Sequence, residues 1–239
     1  MRGTYSAILV FLGWALVASR PLGAQDLGAA AKTKENLDLP IEAEGVEEDP
    51  EDAPEVVLFY GQAFEGDGII YVIDKSCTMQ DEGELDIAKR EVVRNIREFS
   101  DKVWFGIVFF SNDVVKFPSS GMPAQAEVTM RDAAISFVMT MEGHCGTCCQ
   151  QGLAEGLQMA NLATPKHKAI IYVGDGGGTC PGTTDEASYL QKTLTSITFM
   201  NYQRVVINCI GVLRPLPLNE EFMKKLSSSN GGTYTKISR

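Results

Sequence analysis

Short apolar runs alternate along this chain with stretches whose apolar positions recur every third or fourth residue. The runs at 56–60, 69–73, 103–110, 169–173 and 205–210 have the length and continuity of buried strands. Between them the period changes. Leu85, Ala88, Val92, Ile96 and Phe99 line one face of a helix, and Leu153, Leu157 and Ala160 repeat the pattern, as do Leu190, Leu194 and Ile197. Pro165 closes the middle helix, and Gly231 and Gly232 open a last strand over 233–237. Strands that alternate with amphipathic helices predict an α/β fold, a Rossmann-like, mainly parallel sheet with helices on both faces. One pair of runs breaks the rule. Only Ser111, Asn112 and Asp113 separate 103–110 from 114–117, which predicts a hairpin and hence one antiparallel edge strand. No internal repeat occurs.

Ahead of residue 56 the pattern is different. Arg2 precedes an apolar run over 7–18, broken only by Gly13, and small residues follow with cleavage expected after Ala24 or Ser19. This reads as an export signal over 1–24, its form suiting a bacterial secreted or periplasmic protein. An uncleaved anchor is the alternative, but the run is short for a bilayer span, so no stable membrane anchor is expected. Residues 25–55 form an acidic stretch. Within 26–55 eleven Asp and Glu face Lys32 and Lys34, three prolines occur and aromatics are absent, the composition of a disordered linker. An acidic docking arm is the other reading. The domain proper is expected over 56–239. The formal net charge of −10 supplies no basic footprint for phosphates, so nucleic acid is not an expected partner.

In an open α/β sheet, ligands bind beyond the carboxyl ends of the strands. Three segments place polar side chains there: Asp74, Ser76 and Thr78 after the first core strand, Thr147 ahead of the middle helix, and Asp175 after the strand at 169–173. Two carboxylates and three hydroxyls are hard oxygen donors, a set for Mg2+, Mn2+ or Ca2+ rather than zinc. Asp-x-Ser-x-Thr by itself could be a turn with a helix cap. The three elements in this order, on this succession of strands and helices, are much more specific.

The order Asp74-x-Ser76-x-Thr78, then Thr147, then Asp175 resembles the metal-ion-dependent adhesion site of von Willebrand factor type A and integrin I-type domains, over 69–239. The resemblance implies Ser76, Thr78 and Thr147 as direct ligands, with Asp74 and Asp175 acting through water. It also implies a function in binding, not catalysis: a protein or peptide partner would present an acidic side chain to the ion. Thr78 stands where the family normally has a second Ser, and Cys77 where Gly is common. The threonine keeps the hydroxyl and adds a methyl.

Six cysteines are present, and export makes disulfides permissible. One or two bridges among Cys77, Cys145, Cys148, Cys149 and Cys180 would rigidify the metal-binding loops, with the pairing open. A rival reading makes a zinc cluster of His144, Cys145, Cys148 and Cys149, against which stand the oxidising compartment and the lack of a second well-spaced pair. Cys209 reads as a buried small hydrophobe, and His167 as a boundary histidine without an evident partner.

Two other functions compete. A haloacid dehalogenase-like phosphatase would use Asp74 as nucleophile. However, Ser76 replaces the acid that class carries two residues later, and no acidic residue follows Gly174-Asp175-Gly176 closely. The second is an interaction domain whose metal site no longer functions.

Overall fold

The structure, a computed structural model, describes residues 53–237 except Arg214. The expected signal and most of the acidic stretch lie outside the described residues. The core strands are β3 (Gly68–Asp74), β4 (Trp104–Phe110), β7 (Lys168–Gly174) and β8 (Val206–Gly211). With β5 (Val114–Phe117) and β9 (Tyr234–Lys236) they form one sheet in the order β5-β4-β3-β7-β8-β9. The short β6 (Ala124–Gln125) also pairs with β4. Pairings among β3, β4, β7, β8 and β9 are parallel, and β5 lies antiparallel on β4. The expected α/β architecture with an antiparallel edge is therefore found.

Every residue of β3 is buried, as a central strand covered on both faces requires. Its pleat divides the core. Ile69, Tyr71 and Ile73 face α2 (Glu84–Glu98), whose Leu85, Ala88, Val92 and Ile96 are buried against them. Ile70 and Val72 face α4 (Cys149–Leu162), which shares its side of the sheet with α5 (Glu186–Met200) and α6 (Pro217–Ser229). Glycine sets how close α4 comes. A Cβ at Gly152 would lie 2.6 Å from the Phe110 ring, and one at Gly156 would strike Val72. These two residues, one turn apart, let the helix backbone settle onto β3 and β4.

The run at 56–60 folds differently from the other strands. β1 (Val56–Phe59) pairs with β2 (Gln62–Glu65) in a separate antiparallel hairpin. Its Val57 and Phe59, with Phe64, join the core on the α2 side. Asn95 fixes it there, donating to the Leu58 carbonyl at 2.6 Å while accepting from the Tyr71 hydroxyl at 2.8 Å. Glu55, at the end of the acidic stretch, donates its N–H to Asp67 at 3.0 Å.

Two more helices complete the fold, α1 (Cys77–Asp81) and α3 (Val128–Met139). Neither α3 nor α6 is expected from periodicity. α3 buries only Ala134 and Val138, so no apolar stripe marks it. No helix among the described residues is long and apolar enough to cross a membrane.

Candidate metal centre

β3 and β7 are neighbours, and the register sets Ile73 beside Val173. Asp74 and Asp175, at the ends of these strands, therefore reach the same edge of the sheet. Asp74 is fully buried. A Cβ at Gly174 would come within 2.9 Å of the Asp74 Cβ, so a glycine there makes room for the carboxylate. Asp74 Oδ1 accepts the Ser76 N–H at 2.7 Å, which curls the loop back over the strand end. Asp74 Oδ2 is buried and has no hydrogen-bond partner.

A chain of oxygens leads from Ser76 to the third loop. Ser76 Oγ lies 3.0 Å from Thr78 Oγ1, and Thr78 Oγ1 donates to Asp175 Oδ2 at 3.0 Å. Asp175 Oδ1 accepts the Gly177 N–H at 2.9 Å. A hydroxyl has a single proton. With the Thr78 proton directed to Asp175, Ser76 must be the donor to Thr78. The hydroxyl chain thus runs toward Asp175. Burial, and next the nearby charge of Asp175, push the Asp74 carboxyl up to about 8 against the hydrogen bonds from Ser76.

Thr147 enters from another direction. It is buried, its N–H reaches the Thr179 carbonyl at 3.4 Å, and its hydroxyl lies 3.5 Å from that of Thr179 in the loop after β7. Two disulfides flank it. Cys77–Cys145 joins its loop to the Asp74–Thr78 loop, and Cys148–Cys180 joins it to the Asp175 loop. Asp74, Ser76, Thr78 and Asp175 are thus linked by hydrogen bonds, and the Thr147 segment is tied covalently to both of their loops.

The solved structures this domain resembles share that layout of sheet and helices. A von Willebrand factor type A protein from Catenulispora acidiphila matches with a TM-score of 0.63 at 19% identity, over 74% of this chain and 40% of that one. The chain has the von Willebrand factor type A fold. The pilus adhesin SpaC from Lactobacillus rhamnosus GG, in an open conformation, matches at 0.56 and 15% identity, over 72% of this chain and 28% of that one. The vWF domain of the type V pili tip protein Mfa5 from Porphyromonas gingivalis matches at 0.55 and 12% identity, over 71% of this chain and 89% of that one. The chain spans well under half the length of the first two structures. No family model and no curated protein matches the sequence.

Three readings of single residues change on this von Willebrand factor type A frame. Cys149, grouped with the bridging cysteines, forms no disulfide. As the first residue of α4 it packs into the core, where burial pushes its thiol up to about 12. The zinc cluster dissolves for the same reason, since Cys145 and Cys148 are both spent in bridges. Among the described residues, no three or more His, Cys, Asp or Glu side chains gather as a metal site. His167 does have a partner, with Nδ1 3.2 Å from Asp67 Oδ2. Cys209 is buried as expected.

Sequence reasoning passed over Lys75, treating it as a spacer between Asp74 and Ser76. It is buried and ion-paired to Asp113 at 2.7 Å. Against the burial that raises it, hydrogen bonds from Lys75 and Ser111 hold the Asp113 carboxyl below its ordinary range.

Proposed function

We propose that this chain binds a divalent cation, Mg2+ or its substitutes Mn2+ and Ca2+, at the carboxyl edge of its sheet and uses it to hold an acidic side chain of a protein or peptide partner. Ser76, Thr78 and Thr147 would be direct ligands, with Asp74 and Asp175 acting through water. The observation that carries this reading is Asp74 Oδ2. A buried carboxylate oxygen without a donor is costly, and burial raises the cost of its charge. Beside it stand the Ser76 and Thr78 hydroxyls and the Asp175 carboxylate, so oxygen atoms and negative charge face the same space. That chemistry fits a hard cation. A bound ion would supply a positive charge with an open valence for an incoming carboxylate.

The chain's own residues account for the rest of the function. Asp175 orients Thr78, the Ser76 N–H orients Asp74, and the bridges hold the Thr147 segment between the other two loops. The role is binding. A nucleophile at Asp74 would have to be charged and accessible, whereas this carboxyl is buried and pushed toward its neutral form. Two of the three similar structures are pilus proteins by name, and disulfides persist in oxidising compartments. We place the protein outside the cytoplasm, exported by a signal over 1–24 that is cleaved ahead of the acidic linker.

Calorimetric titration of Mg2+ and Mn2+ tests the reading. The wild type should bind one ion, and Ser76→Ala and Asp175→Ala should each weaken binding while the domain stays folded. Unchanged affinity in both variants would overturn the assignment. An Asp-containing peptide retained only in the absence of chelator would support the partner class.

A further inference from the structure

We propose that Lys75 is a positioning residue of this ion site. It does not ligate the ion, but it seats the Thr147 segment relative to the Asp74–Thr78 loop. The proposal rests on the metal-binding reading above.

A lysine is rarely this buried unless it is paired. Each polar group of Lys75 reaches a different segment. Its N–H donates to the Phe110 carbonyl at the end of β4 at 2.8 Å. Its carbonyl accepts the His144 N–H at 2.8 Å. Its ammonium donates to Asp113 Oδ1, in the turn between β4 and β5, at 2.7 Å. From Asp113 the network continues. Ser111 Oγ donates to the same Oδ1 at 2.5 Å, and the Ser111 carbonyl accepts the Cys148 N–H at 2.7 Å. Cys148 directly follows Thr147. In the same turn Asn112 lies against Gly146, where a Cβ would collide with its side-chain amide and φ is +98°. The β4–β5 turn is thus held on one side by Lys75 and on the other by residues 146–148.

The disulfides do not duplicate this. They join the Thr147 segment to the first and third loops and leave its height over β4 to the Lys75–Asp113–Ser111 relay. The relay's effect has a sign that electrostatics alone would reverse. An ammonium one residue from Asp74 repels a cation, so if Lys75 acted only through its charge, removing it would tighten Mg2+ binding. If it acts by placing Thr147, removing it weakens binding.

The test uses the disulfide-bonded protein and three variants, Lys75→Met, Lys75→Arg and Asp113→Asn, with Mg2+ titration and amide hydrogen exchange as readouts. Lys75→Met should weaken Mg2+ about 10-fold or more, the range found when groups supporting a metal ligand are removed. Lys75→Arg should restore most of it, and Asp113→Asn should reproduce the loss from the other end of the pair. In metal-free Lys75→Met the Cys148 amide should exchange faster, while the β3 amides keep wild-type protection. Equal or tighter Mg2+ binding in Lys75→Met overturns the proposal. If the wild type itself binds no Mg2+, the metal reading fails, and Cys148 exchange alone decides whether Lys75 seats the loop: wild-type protection in Lys75→Met refutes that as well.

Discussion

Asp74→Asn isolates the charge at the centre of the site. In the metal-free protein burial lifts the Asp74 carboxyl from an ordinary 3.8 to about 8. The folded value lies above the unfolded one, so the group's contribution to stability is complete below about 3.8 and is lost as the pH rises toward 8. Metal-free stability should therefore decline across that window. At neutral pH the loss is about 4 kcal/mol, at about 1.36 kcal/mol per pH unit above the unfolded value. Asparagine keeps the shape and the oxygen that accepts the Ser76 N–H, and it carries no charge to desolvate. Its amide needs an acceptor of its own, which offsets roughly 1–3 kcal/mol of the gain. A net stabilisation of about 2 kcal/mol remains, or a melting temperature higher by roughly 4–8 °C for a domain of this size. The assay is a pair of thermal melts, in chelator and in millimolar Mg2+. The wild type should rise with Mg2+, because an ion that binds only the folded state stabilises it, and Asp74→Asn should start higher in chelator and respond little. A variant less stable than the wild type in chelator, or one that gains as much from Mg2+, would refute the reasoning.

Three further outcomes follow from the packing and the bridges. Replacing Cys148 and Cys180 by Ala opens a cross-link between residues 32 apart in sequence, and loop-closure entropy puts the cost at about 4 kcal/mol. Urea unfolding should show it, together with weaker Mg2+ binding; unchanged stability would mean the bridge is not formed. Gly156→Val forces a branched side chain onto Val72 and should cost about 1–3 kcal/mol by overpacking, with a wild-type melting curve as the contrary result. Cys149 should resist alkylation in the native protein and react on unfolding, because it is buried and its thiol is pushed up to about 12; rapid native labelling would place it elsewhere.

The parallel core was legible because each central strand is an uninterrupted apolar run and α2, α4 and α5 repeat apolar residues every three or four positions. Ile69–Ile73 and the Leu85–Ile96 face show this most clearly. What escaped was whatever the local pattern does not encode. The run at 56–60 has the composition of a core strand, but it was the two-residue turn at Tyr60 and Gly61, both with positive φ, that folded it back on Gln62–Glu65. α3 lacks a stripe because one of its faces meets α2 and most of its surface meets solvent. The pairing of five nearby cysteines turns on which side chain α4 points inward, and Cys149 is the one it buries.

The site divides in the same way. Asp74, Ser76, Thr78 and Asp175 of the proposed site could be listed from strand ends, because a parallel sheet sends such ends to one edge, and Thr147 from its place ahead of a helix. Their roles could not, since those depend on where single protons go. Thr78 can give its proton to Asp175 only because β7 sits next to β3, and Asp74 Oδ2 lies buried beside that pair without a hydrogen-bond partner. The same adjacency lets threonine stand at 78 in the proposed site: its hydroxyl has a fixed acceptor, and the side chain is exposed, so the added methyl has room. A motif of hydroxyls is therefore not enough to mark an ion site. What supports the proposed ion site is a buried carboxylate oxygen without a donor, beside a hydrogen bond between residues about a hundred positions apart in the chain, Thr78 and Asp175.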